Sequence, residues 1–321
     1  MPHESLPAHA TARGLVANLG IATALVVEGI IFSTLSPYFF TAENILNVTL
    51  QTSIIAIIAV GMTFVILTAG IDLSVGSMAA FSGVVAASVL KTSVPFPAAL
   101  SLAMLAALAV GAASGAISGI FITKFNITPF IVTLALMTIW RGAAYMFTDG
   151  RPVWGLPDEF GILGSGRVLS IPLPTIIMLA AYAYGYVLLK HTRFGRYVYA
   201  VGGNKEAAYL AGIHTGRVLM LVYVLSGVLA SLAGVLLAAR MNSGQPGAGM
   251  MYELDVIAAV VIGGTSLFGG RGSIIGTFLG AMLIGVLRNG LNLLDVGSYV
   301  QMVVLGVVIL LAVLLDRLRL R

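Results

Sequence analysis

KHTRFGRYVYAVGGNKEAAYLAGIHTGR, residues 190–217, is the one long basic, water-compatible stretch in a chain that is otherwise almost continuously apolar. It carries Lys190, Arg193, Arg196, Lys205 and Arg217, with His191 and His214. The segments on either side, about 171–189 and 218–239, are each apolar over the ~20 residues that a helix needs to cross a bilayer. Positive charge collected in one loop between two such spans marks the cytoplasmic side. Inside it, Gly202, Gly203 and Asn204 stand before Lys205, Glu206, Ala207 and Ala208, and Gly212 stands after them. Asn is a favoured N-cap and Gly the favoured residue past a helix end, so the pattern predicts a short helix between them. Presented by two buried helices, it is a handle for another protein; a plain solvated connection fits the composition as well.

The rest of the chain sets the class. Of its 321 residues, 59% are hydrophobic and 9% charged, and the mean hydropathy is +1.04. A soluble domain carries about 25% charged residues, so an all-α integral membrane protein is expected. The 17 Lys and Arg against 12 Asp and Glu give a net charge of +5, a balance that elsewhere points to nucleic acid. Here the cations gather at span ends and in one loop, so the partner is the lipid bilayer and no nucleic acid is expected. The absence of cysteine excludes disulfides, thiol catalysis and cysteine metal sites. His3 and His9 fall in the tail, His191 and His214 in the basic loop, so neither metal nor cofactor is expected. No GxxxxGK(S/T) phosphate loop occurs, so ATP-driven work would need another chain to bind the nucleotide.

In chain order, residues 1–14 read as a cytoplasmic tail, 15–316 as the membrane domain and 317–321 as a second cytoplasmic tail. The first span, about 15–36, lacks the cationic start and small-residue cleavage site of a secretory signal. It contains Glu28, whose central carboxylate costs about 2.5–3.5 kcal/mol on insertion scales and should face protein or pair with a neighbour. The second span, about 46–69, breaks at Gly70-Ile71-Asp72-Leu73-Ser74-Val75-Gly76-Ser77. Asp72 and Ser74 can each accept from free N–H groups opening the next helix. Broken helices at membrane depth also line cavities.

The helix at about 98–122 has Gly111, Gly115 and Gly119 on one face, where a second helix can approach closely. The next span, about 128–147, holds Trp140 and Arg141, the latter placed as an anchor at the outer interface. Residues 148–169 form the longest outer segment, a loop with room for a short helix, and 240–255 form a second outer loop. In the span between the basic loop and that second loop, Gly227, Ser231 and Gly234 suit close packing. Residues 256–262 are too short to cross alone and run into Gly263-Gly264-Thr265-Ser266, a second break. Two more spans follow, at about 273–294 and 299–315. The total is about ten transmembrane helices, some short or discontinuous, with both termini on the side of the basic loop. The paired breaks, around Asp72 and around Thr265, hint at a duplicated architecture with a path at its interface.

Three stretches, residues 70–77, Gly202-Gly203-Asn204 with Glu206-Ala207-Ala208, and Tyr252 to Ala259 followed by 263–267, resemble the permease subunit of ribose-type ABC sugar importers. The resemblance runs from Thr34 to Asp316. The spacing from Glu206 to Gly212 also resembles the coupling signature of importer permeases, although Leu225 stands where that signature usually continues with Pro. The resemblance implies a non-enzymatic, multi-pass subunit of the bacterial inner membrane. It implies a homodimer, a cytoplasmic ATPase with two nucleotide-binding domains, and a periplasmic or extracellular sugar-binding protein. Gly202, Gly203, Asn204, Glu206, Ala207, Ala208 and Gly212 would couple to the ATPase. Gln51, Thr52, Ser53, Thr133, Asn289, Asn292 and Gln301 offer replaceable hydrogen bonds along a path for a neutral sugar, or equally to neighbouring helices. Two alternatives stay open: a permease for branched-chain amino acids or another small polar solute, and an ion-coupled secondary transporter using Glu28.

Overall fold

The computed structural model describes residues 8–319; residues 1–7 and 320–321, the extremities of both expected tails, lie outside the described residues. The elements are α1 (Ala8–Leu35), α2 (Ala42–Leu67), α3 (Val75–Leu90), α4 (Phe96–Lys124), α5 (Pro129–Phe147) and α6 (Asp158–Ser165). A small antiparallel hairpin, β1 (Arg167–Val168) and β2 (Ile171–Pro172), leads into α7 (Leu173–His191), α8 (Arg193–Gly203) and α9 (Lys205–Leu210). The chain closes with α10 (Thr215–Met241), α11 (Tyr252–Ile262), α12 (Ile274–Leu293) and α13 (Ser298–Arg319). Among the described residues, 6 helices are long and apolar enough to cross a membrane: α2, α4, α5, α7, α10 and α12. Shorter apolar stretches, Leu19–Leu35, Val75–Leu90 and Ser298–Leu311, supply three more. With the half-length α11 they make the set of about ten that the hydrophobic runs predict.

The bundle is built around α2 and α10. Every residue of α2 from Thr52 to Leu67 is buried, and a helix apolar all round belongs in the middle of a bundle. Helix α10 packs on α2, α3 and α4. Its crossing with α4 is made of bare backbone: Gly111 lies against Gly227 and Ser231, Gly115 against Tyr223 and Val224, and Gly119 against Met220. On its other side Gly234 meets the carbonyl of Ala79 in α3. Lipid tails are as apolar as leucine, so such helices are held by dense contact rather than by escape from water, and small residues permit it. These are the faces the glycine spacing indicates.

Three features depart from the sequence reading. Residues 190–217 hold two helices, not one. Thr192 caps α8 by accepting from the N–H of Gly195 at 3.2 Å. The helix buries Gly195, Val198, Val201 and Gly202 while Arg193, Arg196 and Tyr197 stay exposed. Gly202 and Gly203 are thus its last turn rather than a lead-in coil. Second, residues 242–251 do not stand free as an outer loop. They fold back into the bundle, where a Cβ on Gly249 would come 2.6 Å from the Gly76 carbonyl, and α11 starts at Tyr252. Third, helix replaces coil at both ends of the domain: α1 begins at Ala8 and α13 runs to Arg319.

The segment after α5 packs over one end of α10. Phe160 and Leu156 are buried, Gly164 lies on the backbone of Ala239 and Arg240, and Val153 exchanges backbone hydrogen bonds with Gly244 at 2.8 and 3.0 Å.

Candidate translocation path and coupling surface

Helix α9 is the short helix foreseen between Asn204 and Gly212. Asn204 accepts from the N–H of Ala207 at 2.9 Å. Gly212 takes φ +83°, and the next N–H, that of Ile213, returns to the carbonyl of Ala208 at 3.0 Å; a left-handed residue in that place is easiest for glycine. Asn204, Lys205, Glu206, Ala207 and Gly212 are exposed, whereas Ala208 is buried and seats the helix. Tyr209 and Leu210, which sequence reasoning passed over, are 69% and 79% exposed. Both side chains are therefore free for contact with another molecule.

Helix α8 ties this surface to the bundle. Phe194 stacks on Phe64 of α2 with ring centroids 6.1 Å apart. The Tyr199 hydroxyl donates to the carbonyl of Gly272 at 2.7 Å, and partial burial pushes that phenol up to about 12. Gly202 lies directly on the carbonyl of Leu67, where any Cβ would collide. The same carbonyl accepts from the N–H of Gly270 at 2.9 Å. The two breaks therefore touch each other, beneath α8.

Within the first break, Ser74 does not cap α3. Its N–H and hydroxyl both donate to Asp72 Oδ1, at 3.0 and 2.6 Å, while Ser226 of α10 donates to Oδ2 at 2.8 Å. In the second break, Ser266 accepts from the N–H of Phe268 at 3.3 Å and Thr265 is buried with its hydroxyl unpartnered among the described residues. The cap of α12 is Ser273, which accepts from Gly276 at 3.0 Å. None of Asp72, Ser74, Thr265 and Ser266 lines the cavity described next; Asp72 fastens the first break to α10.

That cavity, of about 380 Å3, lies among α2, α10, α11, α12 and α13 toward the end remote from α8 and α9. Of the polar residues proposed for a path, Gln51, Thr52, Asn292 and Gln301 line it. The other three turn elsewhere: Ser53 donates to its own helix at Leu50, 2.7 Å. Thr133 donates to Ile71 in the first break, 3.1 Å, and to Pro129, 2.9 Å. Asn289 exchanges two hydrogen bonds of 2.9 Å with Asn44. The cavity also takes in Arg240, Tyr252, Arg288 and Ser298. Arg288 donates to both oxygens of Asp255, at 2.6 and 2.7 Å. The signal for it was present, since a cation inside an apolar span is unusual.

Two further charged residues sit within apolar helices. Arg141, expected as an anchor at the outer interface, donates through Nη1 to the carbonyls of Pro246 and Ala248, at 2.7 and 2.6 Å, and holds the inturned loop. Glu28 turns Oε2 into protein but meets no hydrogen-bond partner among the described residues.

A multi-pass helical bundle with a polar cavity at one end and an exposed, capped helix at the other has the architecture a membrane permease needs, and its similarity to known proteins places it in that class. The chain belongs to the family described as branched-chain amino acid transport system / permease component, which matches residues 44–313. It is 53% identical over 297 residues to the ribose import permease protein RbsC of Escherichia coli (strain K12), covering 91% of each chain. It is 50% identical over 306 residues to the RbsC of Bacillus subtilis (strain 168), covering 95% of this chain and 94% of the other. The D-allose transport system permease protein AlsC of Escherichia coli (strain K12) is 42% identical over 290 residues, 90% of this chain and 88% of the other. No solved structure matches the chain.

Proposed function

We propose that this chain is the membrane-spanning subunit of an ATP-driven, binding-protein-dependent importer of a ribose-like monosaccharide. Nearly end-to-end similarity to permeases named for ribose and for D-allose carries this reading. Two copies side by side in the bacterial inner membrane form the path, with both termini and α8–α9 in the cytoplasm and the cavity open toward the outside. The surplus of Lys and Arg around α8 and α9 supports that orientation. A soluble binding protein delivers sugar to the outer face, where the segment 148–172 and the end of α10 are offered. At the inner face a separate ATPase with two nucleotide-binding domains grips α9 through Glu206, Ala207, Tyr209 and Leu210. Asn204 and Gly212 fix the shape of that helix, and Gly202 and Gly203 pass its displacement on.

Closure of the ATPase on nucleotide would move α9 and α8 as one body, because packed helices shift as units. Contact at Phe64, Leu67 and Gly272 carries the shift into both helix breaks. The cavity residues supply hydroxyl and amide groups that a neutral sugar can exchange without tight binding, so selectivity can rest with the binding protein.

The test is uptake of labelled ribose by vesicles holding the permease, its ATPase and its binding protein. Glu206→Arg combined with Gly212→Lys is expected to abolish both uptake and co-purification of the ATPase. Uptake and association at unaltered levels would refute the coupling role. Uptake of labelled leucine in place of ribose would return the chain to the amino-acid class that its family description names.

A further inference from the structure

Arg288 has more hydrogen-bonding capacity than the protein uses. A guanidinium carries five N–H donors. Only Nη2 is engaged, with the two oxygens of Asp255. Nε and Nη1 make no hydrogen bond among the described residues, and the side chain is 33% exposed in the wall of the cavity. Asp255 itself is buried in the first turn of α11. The buried carboxylate holds the guanidinium at one nitrogen and balances its charge, leaving the donors of Nε and Nη1 without a partner among the described residues.

The neighbours complete a mixed lining. Gln301 donates through Nε2 to Asn292 Oδ1 at 2.8 Å, which leaves Gln301 Oε1 and the Asn292 amide nitrogen for other partners. Gln51 adds an amide from the facing helix. Donors and acceptors thus both line a space of about 380 Å3, within the range of small-molecule sites, about 300–1,000 Å3. Adjacent hydroxyl groups, each able to donate and accept, match this lining. Asp255 balances the charge of Arg288, so no anion is needed there to satisfy it; Arg240, a second cation, also lines the cavity.

We propose that Arg288 is a specificity-determining contact of the translocation path, its free donors taking the adjacent hydroxyl groups of a neutral polyol, and that Asp255 is the residue that positions it. This rests on the importer reading above and adds the contact that recognises the cargo. Losing an oriented, charge-assisted donor pair is expected to weaken discrimination by about tenfold.

The experiment uses the complete importer in proteoliposomes and compares uptake of ribose with that of 2-deoxyribose, each saturating the binding protein. The native importer is expected to favour ribose. Arg288→Gln should bring the ratio of the two rates down about tenfold toward unity, and Arg288→Lys, which keeps charge without the fork, should fall between. The double variant Arg288→Gln with Asp255→Asn removes the ion pair without stranding a charge. If Arg288 reads the cargo, the double variant stays unselective; if the pair only joins α11 to α12, selectivity returns to the native ratio. That return overturns the proposal, as does an unchanged ratio in Arg288→Gln. Where the single variant fails to co-purify with the ATPase, the ratio measured in the double variant decides. A native importer that carries neither sugar would sink the importer reading instead, so the two failures are told apart.

Discussion

Replacing Asp72 by alanine removes the acceptor for three donors at once: the N–H and hydroxyl of Ser74, and the hydroxyl of Ser226. The site is buried, with Asp72 only 2% exposed, and water cannot readily stand in. A buried donor left without its partner costs about 1–3 kcal/mol. The Ser226 hydroxyl can turn back to a carbonyl of its own helix, but Ser74 precedes α3 and its N–H cannot move. The loss is therefore expected to be about 3 kcal/mol, between one stranded donor and three. That is roughly a hundredfold in the folding equilibrium. Asp72→Asn keeps an oxygen for Ser74 and offers Ser226 an amide, so it should cost about 1 kcal/mol or less. Unfolding of the purified chain in mixed micelles against increasing dodecyl sulfate would measure both. Equal costs for the two variants would mean that charge, not the acceptors, holds the first break to α10, and the reasoning would fail. So would an alanine variant as stable as the native chain.

Gly115→Leu forces a side chain into the backbone of Tyr223 and Val224, and is expected to abolish the monodisperse peak in detergent size exclusion, while Gly142→Ala, where a Cβ meets nothing within 4 Å, should leave it intact. The reciprocal Asn44–Asn289 pair should show a coupling energy of about 0.6–1.7 kcal/mol in a double-mutant cycle with leucine at each position, read by the same unfolding assay. Gly202→Val drives a branched side chain against the Leu67 carbonyl; ATP hydrolysis by the assembled complex is expected to persist while sugar uptake falls at least about tenfold, measured as sugars moved per ATP, because overpacking of about 1–3 kcal/mol lies between the engine and the path.

The spans were legible because hydrocarbon imposes a length and forbids unpaired backbone. The seam of Gly111, Gly115 and Gly119 on α10, and the caps of α9 at Asn204 and Gly212, were legible because each follows from local geometry. Helix α8 was hidden by its own glycines: Gly195, Gly202 and Gly203 look like coil, yet two of them are buried points of close approach. The charges of Glu253 and Asp255 placed them in an outer loop, since the partner of Asp255 lies 33 residues on. The lining of the cavity was half legible for a rotational reason. Thr52 and Ser53 are neighbours in sequence but about 100° apart round the helix, so one faces the cavity and the other does not. Asn289 and Asn292 share a helix, yet the first is claimed by Asn44.

The meeting of Gly202, Leu67 and Gly270 brings three remote lengths of chain to one spot, with no side chain of Gly202 or Gly270 to act as a cushion. Under the proposed coupling, displacement of α8 and α9 would therefore reach the front half and the back half of the polypeptide together. On that reading the subunit has in effect a single crank, and a cycle that stalls at that spot stalls everywhere.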